Sequence, residues 1–121
     1  MTIPLIQNFS LPAGDDTAVH FDVGPDGGIS LLGSNIFWVA YEQKHGIVTN
    51  KTPIIKKVLD DGLQIDDPDL LQFTVALTEA DTLNLQGNYK HEALVIIDGN
   101  RITVANGIMC ITETNNREVG T

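Results

Sequence analysis

The chain has 121 residues and is 42% hydrophobic, which fits a single globular domain whose core holds without disulfides or metals. Its 16 Asp and Glu residues against 7 Lys and Arg residues give a formal net charge of -9, so repulsion excludes nucleic acids and anionic membranes as partners. No apolar run reaches the ~18 residues of a membrane span, and the N-terminus lacks the basic region of a signal peptide. The single cysteine, Cys110, fits folding in a reducing cytoplasm.

The first part of the chain predicts an extended arm followed by two strands. Residues 1–10 combine a proline with polar residues, so we expect an N-terminal arm. Val19 and Phe21 alternate with less apolar neighbours, which is the period of a half-buried strand, and a Pro-Asp-Gly-Gly turn follows. Ile36–Tyr41 is apolar on both faces, so this strand is predicted to be covered on both, by the domain itself or by a neighbouring subunit.

The middle of the chain alternates short strands with tight turns. Ile54–Leu59 and the segment around Leu63 predict two strands joined by an Asp-Asp-Gly turn. Leu71–Leu77 shows the clearest alternation of apolar and polar residues and predicts an amphipathic strand. Immediately after it, Thr78 and Asp81 have the spacing of a capping box, which predicts one turn of helix.

The last part of the chain predicts a hairpin. Gly87 suits a left-handed exit from the helical turn, and Tyr89–Ile97 resumes the alternation of a strand. Asp98-Gly99 is a strong hairpin signal. Asn106-Gly107 is predicted to bend the chain before a final short strand.

This succession of short strands, with turns about every 8–12 residues, is typical of a β-sandwich. The predicted fold class is therefore all-β: an Ig-like antiparallel β-sandwich with one short helical turn. We assign the sandwich to residues 11–113, the extended arm to residues 1–10 and a polar C-terminal tail to residues 114–121.

The residue pattern contains no catalytic constellation, so we expect neither an enzyme nor a bound cofactor. His20, His45 and His91 fall on separate elements, and none has a second ligand at metal spacing, so a surface histidine or a hydrogen-bonded core histidine is favoured over a zinc ligand. Cys110 lies between apolar residues and is interpreted as a small core residue, because a nucleophile would need a nearby histidine.

Two acidic loops contain the best candidate metal ligands. Calcium prefers clustered carboxylate oxygens, but the spacing of these residues matches no calcium-binding loop. Turns built from turn-forming residues are the favoured interpretation, and a calcium site is the alternative. The residues concerned are Asp60, Asp61, Asp66, Asp67 and Asp69.

Three aromatic residues share one strand and allow three interpretations. Phe37, Trp38 and Tyr41 lie in a nearly unbroken apolar segment, which favours packing in the core. A buried face between subunits is the second interpretation. Exposed rings at Trp38 or Tyr41 would instead indicate a sugar-binding surface.

The order of several short motifs resembles a group of small proteins from tailed bacteriophages. Leu11–Val23 is similar to their Gly-Asp turn and first core strand, and Ile29–Val39 to their Leu-x-Gly turn before an aromatic strand. Leu77–Tyr89 resembles their helical turn followed by Gly-x-Tyr, and Gly107 precedes the last strand. This order resembles the N-terminal domain of phage baseplate upper proteins, and also small neck, tail and head accessory proteins. The segment 44–69 departs from their pattern.

The resemblance implies a non-enzymatic structural subunit of the virion, in the tail, baseplate or neck, made in the host cytoplasm. Its implied partners are other virion proteins and copies of itself, without nucleic acid or membrane. A carbohydrate- or host-surface-binding module is the alternative. The arm, the loops and the tail are expected to make the partner contacts, through Ile3, Leu5, Ile6, Lys44, His45, Asp66, Asp67, Asn115, Asn116 and Arg117.

Overall fold

The computed structural model of the protein describes residues 5–24 and 30–112. These residues form ten strands and one helical turn: β1 (Leu5–Ile6), β2 (Phe9–Pro12), β3 (Thr17–Asp22), β4 (Asn35–Lys44), β5 (Ile47–Val48), β6 (Ile55–Leu59), β7 (Gly62–Asp67), β8 (Gln72–Leu77), α1 (Glu79–Thr82), β9 (Gly87–Ile97) and β10 (Asn100–Thr112).

The strands form an all-β, Ig-like sandwich. Hydrogen bonds link them in the order β1-β10-β9-β4-β6-β7-β8-β3, while β2 also pairs with β10 and β5 with β4. The ladder folds over between β6 and β7, where only two residue pairs join the strands in parallel. One layer therefore contains β10, β9, β4 and β6, and the other contains β7, β8 and β3. The predicted fold class is confirmed.

Aromatic rings fill the space between the two layers. Phe21 on β3 stacks on Phe73 of β8, with the ring centroids 4.8 Å apart. His91 on β9 lies 5.8 Å from both Phe21 and Trp38, and 4.9 Å from Phe9 on β2. Trp38 is completely buried, so the prediction that it packs in the core is confirmed. Burial of such rings is the dominant favourable contribution to a core of this size.

His91 is buried with both ring nitrogens hydrogen-bonded. The indole N–H of Trp38 can only donate, and it lies 3.2 Å from His91 Nδ1, so Nδ1 is the acceptor. The other nitrogen, Nε2, lies 2.6 Å from the backbone oxygen of Gln7 and donates to it. The ring is therefore the neutral Nε2–H tautomer. Burial lowers the pKa of His91 below its usual value, although the Gln7 carbonyl works in the opposite direction.

The turn before β9 is closed by a tyrosine. The hydroxyl of Tyr89 accepts a hydrogen bond from the backbone N–H of Gln86 and donates one to its carbonyl, both at 3.1 Å. A tyrosine corner of this kind is a hallmark of immunoglobulin domains, which carry a cysteine two residues later. His91 occupies that position here.

The helical turn α1 is fixed at both sides. Thr78 and Asp81 form the predicted capping box, in which the Asp81 carboxylate accepts the N–H of Thr78 at 2.7 Å. Lys57 on β6 reaches the same carboxylate at 2.7 Å. The helical turn ends at Thr82 with a right-handed cap at Leu83, so Gly87 is not its exit. Gly87 instead begins β9, where its φ of +103° has the predicted positive sign.

Two local predictions differ from the structure, and a third is narrowed. Asn106-Gly107 does not bend the chain, because β10 runs through both residues without a break. The domain covers only one face of Ile36–Tyr41 completely, since Phe37 and Tyr41 remain partly exposed, which leaves a neighbouring subunit as the predicted cover of the other face. Cys110 is half-buried rather than a core residue.

The described part of the segment predicted to be an N-terminal arm forms strands. Leu5 and Ile6 pair in parallel with Ala105 and Asn106, and β2 continues along the same strand, β10. Leu5 and Phe9 pack against the core. This segment therefore covers an edge that β10 would otherwise expose.

Candidate functional site

The outward side of the layer β10-β9-β4-β6 is the most distinctive surface of the molecule. Antiparallel register places the partners of each strand on the same side of the sheet. Val39 of β4 lies opposite Glu92 and Lys56, and Tyr41 lies opposite Lys90. We call this side the outer face; it carries the side chains of Phe37, Val39, Tyr41, Lys56, Lys90, Glu92, Leu94, Ile96, Arg101, Asn106 and Ile108.

The centre of the outer face is apolar. Val39 and Leu94 are buried beneath their neighbours, and Phe37, Tyr41 and Ile96 around them are partly exposed. The outward side of a two-layer sandwich is normally polar, because only the inward side packs on the core. The double-sided apolar pattern of β4 thus produces a core on one side and an apolar surface on the other.

Positive charge is concentrated on this same face. Four of the chain's seven basic residues line it: Lys51, Lys56, Lys90 and Arg101. Among the described residues that line its two depressions, Glu92 is the only acid. Lys56 also places its ammonium 5.4 Å from the centre of the Phe37 ring, in a cation–π contact. A chain with net charge -9 therefore presents a cationic surface on this side.

A pocket of 620 Å³ opens at one end of the outer face. Its apolar walls include Ile6, Tyr41 and Ile108, and its cations are Lys51 and Lys90. Ile6 is 73% exposed at the rim. We call it the cationic pocket; its volume falls within the range of ligand and anchor-residue sites. A second depression of 300 Å³ lies beside it and shares Tyr41.

A group of exposed acidic and apolar side chains lies at the other end of the molecule. The backbone N–H of Leu31 bonds to the carbonyl of Pro68, which joins the segment before β4 to the loop after β7. Leu32 is 79% exposed and Leu70 is 40% exposed, and the carboxylates of Asp67 and Asp69 lie in the same loop. We call Leu32, Asp67, Asp69 and Leu70 the acidic tip.

Hydrogen bonds within the acidic tip restrain its conformation. Asp67 Oδ1 accepts the backbone N–H groups of Asp69 and Leu70, at 3.1 and 3.2 Å. The Ser30 hydroxyl donates to Asp69 at 3.1 Å and accepts the N–H of Leu32 at 3.2 Å. A surface that is ordered in advance loses less conformational entropy when it binds.

The residues predicted to make contacts fall in several places. Ile6 lies at the rim of the cationic pocket, and Asp67 belongs to the acidic tip. Lys44 and His45 are exposed at the β4–β5 turn. Leu5 packs on the core instead. Ile3, Asn115, Asn116 and Arg117 lie outside the described residues, as does the tail at 114–121.

Asp66 belongs to a polar cluster on the opposite layer. Its carboxylate accepts the Thr74 hydroxyl at 2.6 Å and lies 3.2 Å from His20 Nδ1, which is itself 2.7 Å from Thr74. These residue types match the acid, base and hydroxyl of a catalytic triad, but a triad needs its hydroxyl and its acid on different imidazole nitrogens. Here both contact Nδ1, so the cluster lacks the geometry of a triad. Its side-chain hydrogen bonds instead link the neighbouring strands β3, β8 and β7.

The candidate metal ligands are dispersed. Asp67 caps its loop, Asp66 faces Thr74, and Asp60 lies in a turn with positive φ. In residues 5–24 and 30–112, no three His, Cys, Asp or Glu side chains converge on a common point. Asp60 and Asp69 lie in turns as predicted, whereas Asp66 and Asp67 belong to the last residues of β7. No helix in this part of the chain is long and apolar enough to cross a membrane.

The aromatic residues of β4, treated as one group in the sequence, divide between two sides of the sheet. Trp38 points into the core, whereas Phe37 and Tyr41 lie on the outer face. The outer face itself was not predicted. The sequence alone does not reveal this face. Lys56 lies opposite Val39 and Lys90 opposite Tyr41, and these positions become apparent only once the strand register is known.

Comparisons with known proteins give a structural likeness only. No known family profile matches the chain, and no curated protein sequence does. Among solved structures, it is similar to the NK cell receptor NKp44, described as a triggering partner in natural cytotoxicity. The two share 17% identity at a TM-score of 0.46, over 93% of this chain and 100% of the receptor chain.

Proposed function

We propose that the protein is a non-enzymatic structural subunit of a tailed-bacteriophage virion, in its tail, baseplate or neck, and that it assembles through its outer face with other virion proteins and copies of itself. The phage assignment draws on the sequence resemblance. The observation that supports assembly is the outer face, where Val39, Leu94 and their apolar neighbours are surrounded by Lys51, Lys56, Lys90 and Arg101.

The arrangement has the anatomy of a protein-binding surface. Apolar side chains occupy its centre, where burial against a partner releases water and supplies affinity. Charged groups lie at its margin, where they speed and orient association more than they strengthen it. The opposite layer differs, because the outward residues of β3 and β8 include Ala18, His20, Thr74 and Ala76 and contain no large apolar side chain.

Virion incorporation tests the proposal. Particles would be purified on density gradients from cells that carry a phage deleted for this gene and a plasmid copy of it. We expect mass spectrometry to find the wild-type chain at fixed stoichiometry. Tyr41→Asp introduces a charge among the apolar side chains of the outer face and should reduce incorporation, whereas Ala76→Asp, on the opposite layer, should not. Both variants should melt as cooperatively as the wild type. Absence of the wild-type chain from intact particles would reject the structural role.

Carbohydrate binding is a second candidate, and the position of Tyr41 favours it. Trp38 is completely buried and offers no surface for a sugar. Tyr41, however, lies in the cationic pocket with the side-chain amides of Asn8 and Asn106, and such rings and amides are common contacts for sugars. A glycan array would test this: binding that is lost in Tyr41→Ala supports it, and no signal with the wild type rejects it.

A further inference from the structure

The cationic pocket and the acidic tip are complementary in charge. The cationic pocket is concave and contains Lys51 and Lys90 beside Tyr41 and Ile108. The acidic tip carries Asp67 and Asp69 beside the exposed side chains of Leu32 and Leu70. Each surface combines apolar side chains with charges, and the signs of the charges are opposite.

We propose that copies of this chain associate head-to-tail, with the acidic tip of one copy bound in the cationic pocket of the next. This inference rests on the proposed function, which it deepens by naming the surface of the second copy that the cationic pocket binds. Leu32 is the anchor that fills the pocket, since it is the most exposed large apolar residue of the described chain, at 79%. Asp67 and Asp69 then meet Lys51 and Lys90.

The strand layout places the two surfaces at opposite ends of the molecule. The segment of Leu32 leads directly into the first residue of β4, Asn35, whereas Tyr41 and its pocket lie near the other end of that strand. At a rise of ~3.3 Å per residue, Asn35 and Tyr41 are about 20 Å apart. Two different patches at opposite ends form a heterologous contact, which propagates into a ring or an open filament rather than stopping at a dimer.

Electrostatics disfavours the simplest alternative, a symmetric dimer through the outer face. Such a dimer would bring two sets of four basic residues into one interface: Lys51, Lys56, Lys90 and Arg101. Among the described lining residues, each copy would contribute only Glu92 as an opposing negative charge. Like charges brought together at an interface are destabilising. Head-to-tail contact instead pairs each cationic surface with an acidic one.

Two complementary variants test the arrangement. The pocket variant carries Lys51→Glu and Lys90→Glu. The tip variant carries Leu32→Ser, Asp69→Asn and Leu70→Ser, and the amide that it introduces at position 69 can still accept the Ser30 hydroxyl. Matched controls make single changes elsewhere: Ala76→Asp on the outward side of β8 and Asp15→Asn at the end of β3 remote from the tip. Circular dichroism melts confirm that each variant is folded.

Analytical ultracentrifugation of each protein supplies the result. We expect concentration-dependent oligomers from the wild type and both controls, weakened at high salt. Each test variant alone should associate at least about tenfold more weakly. An equimolar mixture of the two should restore association but stop at a heterodimer, because it contains one intact pocket and one intact tip per pair.

Three outcomes would overturn the inference. A wild type that stays monomeric into the millimolar range would show that the pocket takes no second copy. A tip variant that still self-associates would indicate a symmetric contact through the outer face. A mixture that forms no heterodimer would show that pocket and tip do not meet. None of these outcomes concerns incorporation into particles. Ultracentrifugation therefore tests this inference, and mass spectrometry of purified particles tests the virion role independently.

Discussion

At the scale of single residues, His91 shows how a polar side chain becomes part of a core. Its ring contacts Phe9, Phe21 and Trp38, and both of its nitrogens are satisfied. Protonation would place a hydrogen on Nδ1, directly facing the N–H of Trp38, and would put an unpaired charge among aromatic rings. The native state therefore requires the neutral imidazole.

This requirement predicts a pH dependence of stability. Since the pKa of His91 is lowered in the folded state, the unfolded chain binds the proton more readily, and protonation favours unfolding. The free energy of unfolding should be constant above the unfolded pKa of about 6.5 and fall as the pH decreases below it. Urea titrations between about pH 5 and 8 would measure this dependence. The slope should flatten in His91→Gln and persist in His20→Ala; a slope unchanged in His91→Gln would contradict the assignment.

Two glycines are required for different physical reasons: one avoids a steric collision, and the other adopts a positive φ. A Cβ at Gly107 would collide with the backbone carbonyl of Gln7, which cannot move without displacing the first strand. Gly87 has open space around it but a φ of +103°, which side chains resist. We expect Gly87→Val to lower the free energy of unfolding by about 1–2 kcal/mol, and Gly107→Ala by about 1–3 kcal/mol. Chemical denaturation measures both. If Gly87→Val were as stable as the wild type, the positive φ at this position would be contradicted. If Gly107→Ala were as stable as the wild type, the close approach of Gln7 to β10 would be contradicted.

At the scale of elements, Asp81 joins the helical turn to the sheet. Burial opposes ionisation of its carboxyl group, but the hydrogen bonds and charge of Lys57 and the N–H and hydroxyl of Thr78 outweigh it, so the pKa is lowered. The resulting stabilisation is present above the ordinary carboxyl pKa of 3.8 and is lost as the pH falls below it.

Removing this carboxylate should loosen the link between α1 and β6. Asp81→Asn weakens the capping box and leaves the ammonium of Lys57, which is only 14% exposed, without its partner. We expect a loss of about 1–2 kcal/mol, measured by urea denaturation at neutral pH. Asp61→Asn, an exposed residue in the β6–β7 turn, is the matched control and should be neutral. Equal stability of the two variants would show that the Asp81 carboxylate contributes nothing to the link.

The elements also show what the sequence can predict. Alternation located β3 and β8 because their inward residues, such as Phe21 and Phe73, repeat with period two. The same parity placed Ala93 and Val95 of β9 on one side, and the structure shows which of the two interpretations of His91 holds, since it lies buried beside them. Parallel pairing of Leu5 with Ala105 could not be foreseen, because partners so distant along the chain leave no local pattern. The predicted bend of β10 at Gly107 was wrong for the same reason, because the strands that pair with β10 there lie far away along the chain.

The candidate site was less predictable than the fold. The sequence shows that both sides of Ile36–Tyr41 are apolar, but only the register shows that lysines from two other strands flank it. The counts of charged residues show that the chain is acidic overall, but they do not show that most of its basic residues lie on one face. The contact residues predicted in loops include Asp67 of the acidic tip but none of the central residues of the outer face.

At the scale of the whole molecule, the first strands close an edge of the sheet. Residues 5–12 pair with β10 over its second half and contribute Leu11 to the core. Deleting residues 1–12 should expose a long strand edge and a cavity beside Phe21, so we expect loss of soluble monomer on gel filtration and a lower melting temperature. A truncated chain that remains monomeric with unchanged melting would show that the edge needs no cover.

The packing of aromatic rings between the two layers has a consequence for redox chemistry. Trp38, Phe21 and His91 link the two layers without a bond that a thiol can cleave, and the chain's only cysteine has no partner in the same molecule. Dithiothreitol and glutathione should leave the melting curve unchanged. The same fold is therefore equally stable in a reducing cell interior, where the proposed particle would be assembled, and in the oxidising surroundings that it would meet after release.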